Sequence, residues 1–81
     1  MGVSVIVQYY AALREQRGLS NEKIETDCHT LNDLYKELRN KHGFKLDADV
    51  LKVAVNNEFV DLSREINENE HIIFIPPVSG G

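Results

Sequence analysis

Val3, Val5, Val7 and Tyr9 alternate along the chain with Ser4, Ile6, Gln8 and Tyr10. A period of two predicts a strand over Val3 to Tyr10, with the first set on the drier face. Ser4 and Gln8 mark the second face as the wetter one. Ala11 to Arg17 holds good helix formers and stops at Gly18, which predicts a short helix or turn. Glu22 to Cys28 alternates weakly, as expected of a second, edge-type strand antiparallel to the first.

The clearest helix follows. Leu31, Leu34, Tyr35 and Leu38 fall at i, i+3, i+4 and i+7, one apolar stripe on a helical surface. Thr30 is a good N-cap, Asp33 sits near the positive end of the helix dipole, and Gly43 supplies the stop. Phe44 to Val50 reads as a connection without distinctive features. Leu51 to Val55 alternates again, Asn56-Asn57 signals a tight turn, and Glu58 to Asp61 pairs back. After the polar turn Asn67 to Glu70 comes His71 to Ile75, almost wholly apolar, as in a strand buried in mid-sheet. Pro76-Pro77 ends it, because proline cannot donate to a ladder.

The order is β, β, α, β, β, β, with a short helical turn between the first two strands. It predicts an α+β, β-grasp fold: a mixed sheet of about five strands with one main helix on one face. The first and last strands are expected as central, parallel neighbours, and the other face is expected to lack a helix cover. By strand alternation, Ile6, Tyr10, Ala54, Phe59, Ile73 and Ile75 fall on that second face. An uncovered apolar patch on a small domain marks a partner surface, with Tyr10, Phe59 and Ile75 as its leading candidates. The domain is expected over 1–75, with 76–81 as an extended, flexible tail.

Composition narrows the function. The chain has 81 residues and is expected to form one domain with little room for a deep catalytic cleft. Its formal net charge is −4, and no run of Lys and Arg is present to bind a nucleic acid. Its apolar stretches fall short of the ~20 residues that span a bilayer, so no membrane role is expected. One cysteine, Cys28, excludes an internal disulfide, and the cytosol is the expected location. His29, His42 and His71 lack ligand spacing, so no metal site is expected. Glu65, Glu68 and Glu70 read as a solvated face.

The last six residues carry the candidate chemistry. Pro76 and Pro77 stiffen the exit from the sheet, and six extended residues reach roughly 20 Å. Gly80 and Gly81 have no side chains, so this end can enter a channel too narrow for other residues. Ordinary glycine usage puts Gly-Gly at a chain end in roughly one chain in two hundred. A frayed end is thus a weaker account than a working one. Gly81 is expected to present a free carboxylate. Once adenylated with ATP by a partner, it is open to attack by a sulfur nucleophile, giving a thiocarboxylate. That sulfur is itself a nucleophile, delivered at high effective concentration by its tether.

The ending Phe74-Ile75-Pro76-Pro77-Val78-Ser79-Gly80-Gly81 resembles the C-terminus of the molybdopterin synthase small-subunit family, the ubiquitin-like sulfur carriers. Tyr9-Tyr10-Ala11-Ala12-Leu13-Arg14-Glu15 and Val53-Ala54-Val55-Asn56-Asn57-Glu58-Phe59-Val60 resemble two further segments of it. The resemblance implies that Gly81 is activated by a ubiquitin-activating-like adenylyltransferase and loaded from a sulfur donor protein. Pro76, Pro77, Val78, Ser79 and Gly80 would then thread into the large synthase subunit. Sulfur would pass to cyclic pyranopterin monophosphate, in a heterotetramer whose catalytic side chains belong to the large subunit. No cofactor is expected on this chain, since ATP and Mg would bind the activating partner. Alternatives are a carrier for thiamin or tRNA thiolation, a ubiquitin-like protein modifier, and a binding module with an inert tail.

Overall fold

The computed structural model describes residues 2–77. Among them the elements run β1 (Val3–Tyr9), α1 (Ala11–Arg17), β2 (Asn21–Thr26), α2 (Leu31–His42), a 3-10 turn at Ala48–Val50, β3 (Lys52–Val55), β4 (Glu58–Val60) and β5 (His71–Ile75). The strands form one sheet in the order β2-β1-β5-β3-β4. β1 and β5 are parallel, and the other neighbours are antiparallel. This is the β-grasp expected from the sequence, with its terminal strands adjacent and central.

The apolar stripe of α2 explains where the helix sits. Leu31, Leu34, Tyr35 and Leu38 are all buried, and the Tyr35 ring lies 5.3 Å from Phe74 of β5. Full burial of such a side chain contributes roughly 1.5–3 kcal/mol. Val5, Val7 and Tyr9 from β1, Val53 and Val55 from β3, and Ile72 from β5 complete the layer beneath it. Thr30 caps the helix, its Oγ1 accepting from Asp33 N at 3.2 Å. The segment after β4 satisfies two more helix N–H groups: Leu31 N donates to Arg64 O at 3.1 Å and Asn32 N to Leu62 O at 2.8 Å. Gly18 and Gly43 end the two helices at φ +84° and +72°, a conformation glycine takes freely.

Three details differ from the sequence reading. Phe44 is core: its ring lies 6.0 Å from Tyr35 and 5.7 Å from Tyr9. It follows the glycine stop, with its N–H bonded to Arg39 O, so the helix end turns it back under α2. Glu70 is not on a solvated face. It is 6% exposed, held by Arg64 through bonds of 3.0 and 2.8 Å and by Asn67 N at 2.8 Å. Burial is tolerated because the carboxylate is fully partnered, and Arg64 holds its pKa below the ordinary value. Finally, β1 ends at Tyr9, and Tyr10 is the N-cap residue of α1.

Candidate docking face and tail exit

β-Strand alternation builds the site. With Val5, Val7, Ile72, Phe74, Val53 and Val55 committed to the core, the intervening residues face the other side of the sheet. Register then sets Phe59 opposite Ala54, Ala54 opposite Ile73, and Ile73 opposite Gln8. Phe59 is 72% exposed, Ile6 and Tyr10 each 42%, and Ile75 is partly exposed. Ala54 and Ile73 lie on the same face but are nearly covered. Of the six residues expected on this face, Ile6, Tyr10, Phe59 and Ile75 are accessible while Ala54 and Ile73 are not, and Phe59 is no part of the core.

β5 delivers the chain to one end of this face. It stops at Ile75; Pro76 is buried and Pro77 exposed. A groove of about 650 Å³ opens there, lined by Tyr10, Ala11, Leu46, Ile75, Pro76 and Pro77, with Glu15 at its side. Val78, Ser79, Gly80 and Gly81 lie outside the described residues. The structure thus brings Tyr10 and Ile75 together at the exit, while Phe59 stands across the sheet on the edge strand β4.

The Tyr10 side of the groove is held from behind. Tyr9 Oη donates to Glu22 Oε2 at 2.7 Å, and Arg17 donates twice to the same carboxylate, each at 2.8 Å. These bonds tie the end of α1 and the end of β1 to β2. The Arg17 guanidinium holds the Glu22 carboxyl at a pKa of about 2, and burial with the neighbouring Glu22 pushes the Tyr9 phenol up. Between β1 and α1 the chain reverses through Ala11, at φ +50°. An L-residue in that region costs roughly 1–2 kcal/mol, a strain spent beside the tail exit.

A polar strip crosses the apolar face. His71 Nε2 lies 2.8 Å from Gln8 Oε1, and Gln8 Nε2 donates to Tyr10 Oη at 2.9 Å. Sequence reasoning set His71 aside and missed this strip. The spacing of Gln8 and Tyr10 puts both on one face, but their link to His71 needs the parallel β1–β5 register. Among the described residues no cluster of His, Cys, Asp and Glu could hold a metal ion. No helix among the described residues is long and apolar enough to cross a membrane.

A five-stranded mixed sheet with parallel central strands grasping one main helix defines the ubiquitin-like β-grasp class. The ThiS family model matches residues 7–81, and the chain belongs to that family. It is 30% identical over 78 residues to the molybdopterin synthase sulfur carrier subunit of Haemophilus influenzae, covering 93% of this chain and 96% of that protein. A molybdopterin converting factor subunit 1 of Pyrococcus furiosus, named as putative, superposes with a TM-score of 0.77 at 30% identity, covering 94% of this chain and 99% of that one. A complex of subunits 1 and 2 of the molybdopterin-converting factor from Helicobacter pylori matches with a TM-score of 0.64 at 26% identity, covering 98% and 100%.

Proposed function

We propose that this chain is a sulfur carrier of the molybdopterin synthase type. The observation that carries the reading is the exit of the chain. The central strand β5 hands it through Pro76 and Pro77 to the end of an open apolar sheet face. A carrier needs that arrangement: a surface for the partner to hold, and beside it a segment thin enough to enter the partner's site. Kinship with the Haemophilus influenzae carrier supports the choice among β-grasp functions.

The chemistry follows from the chain's own end. The Gly81 carboxylate is a poor electrophile. Attack of its oxygen on the α-phosphorus of ATP, held with Mg by an adenylyltransferase, expels pyrophosphate and leaves an acyl-adenylate. A persulfide on a donor protein then displaces AMP to give an acyl disulfide, and a thiol of the loading partner attacks its S–S bond, leaving the thiocarboxylate here and a disulfide on the partner. Val78 to Gly81 carry the sulfur into subunit 2 of the synthase, where it attacks cyclic pyranopterin monophosphate and displaces an oxygen substituent; hydrolysis of the acyl–sulfur bond then leaves the sulfur on the pterin and returns the Gly81 carboxylate. This chain contributes no acid or base to that step. Its part is to dock through Tyr10, Phe59 and Ile75 and to hold the thiocarboxylate at high local concentration. Two carriers on a subunit 2 dimer give a heterotetramer.

Intact mass spectrometry tests the loading step. Incubation with adenylyltransferase, ATP, Mg and a sulfur donor is expected to exchange one oxygen for sulfur at Gly81. Unchanged mass under conditions that load a known carrier contradicts the proposal.

A further inference from the structure

Resting on the carrier reading, we propose that the Tyr10 hydroxyl is a specificity-determining hydrogen-bond donor toward the partner that receives the tail. Gln8 and His71 are its positioning residues, and the partner presents an acceptor oxygen, carbonyl or carboxylate, opposite Tyr10.

The direction of the bonds on the polar strip carries this. Gln8 Oε1 faces the His71 ring at 2.8 Å and has no proton, so His71 Nε2 donates. The Gln8 amide is thereby oriented, and its Nε2 donates to Tyr10 Oη at 2.9 Å. With a donor already seated on it, the hydroxyl turns its own proton away from Gln8. The main chain of His71 is fixed: its backbone N–H donates to Asn56 Oδ1 at 3.1 Å, and its carbonyl accepts from Asn56 N at 2.9 Å. The strip is therefore a directional chain, running from a clamped histidine to a half-exposed hydroxyl.

The length of chain past Pro77 says what covers that hydroxyl. Four residues reach at most roughly 14 Å. A partner that encloses Gly81 therefore closes over the groove that Pro77 and Tyr10 line together. A phenol proton sealed there without an acceptor carries the penalty of an unmade buried hydrogen bond. Partners lacking the acceptor are thus selected against, although the surrounding face is apolar and tolerant.

Calorimetric titration of the full chain with purified subunit 2 of the molybdopterin-converting factor tests this, with thermal unfolding as the check on folding. Tyr10→Phe keeps the ring and removes the donor, and is expected to weaken binding about tenfold, one net hydrogen bond. In a Gln8→Leu background, where the hydroxyl is no longer steered, the same change is expected to weaken binding less than threefold. Tyr10→Phe at wild-type affinity overturns the inference, as does a tenfold effect that survives Gln8→Leu. If Phe59→Asp weakens binding while Tyr10→Phe does not, the carrier reading stands and this inference falls. If the unmodified chain does not bind subunit 2, both fall.

Discussion

Glu22 shows how single residues hold this site in place. Its carboxylate takes three donors, one from Tyr9 and two from Arg17. Its pKa falls from 4.5 to about 2, so the folded state favours the charged form. The sign follows: stability from Glu22 is complete above about pH 4.5 and is lost as pH falls toward 2. Glu22→Gln is expected to cost about 1–2 kcal/mol at pH 7, since the pair still meets solvent. Urea unfolding across pH checks it: the gap between wild type and variant should close between pH 4.5 and 2. Phe59 behaves in the opposite way. At 72% exposure it supports no core, and Phe59→Asp is expected to leave the unfolding midpoint nearly unchanged while weakening partner binding. A collapse of the fold would place Phe59 in the core instead.

At the scale of elements, α2 is the part most legible from sequence. Its stripe, its Thr30 cap and its Gly43 stop all lie between residues 30 and 43, and local physics decides each. Thr30→Ala is expected to cost about 1 kcal/mol in denaturant unfolding, through loss of the bond to Asp33 N. The Asn56-Asn57 turn was equally readable, and both residues take the positive φ that a tight hairpin demands. Phe44 and Glu70 were not. Each is decided by contacts that periodicity does not encode: Phe44 by Tyr9 and Tyr35, Glu70 by the way the loop folds Arg64 and Asn67 back onto it. The polar strip failed for the same reason, because His71 and Gln8 are sixty-three residues apart and meet only through a parallel register.

For the whole molecule, the order of strands converts these local facts into a tool. Placing β5 between β1 and β3 pairs it along both edges and anchors its end within the sheet. The main helix packs on one face, and the other is the proposed docking face. Tyr10 and Ile75 meet beside Pro76 and Pro77, and the residues beyond Pro77 are where the sulfur chemistry is proposed.

Deletion of Gly81 tests that division most directly, in a reconstituted synthase reaction that measures molybdopterin formed from cyclic pyranopterin monophosphate. The shortened chain is expected to unfold at the wild-type midpoint, bind subunit 2 with nearly unchanged affinity, and yield no molybdopterin. Product at the wild-type rate from the shortened chain would contradict the account.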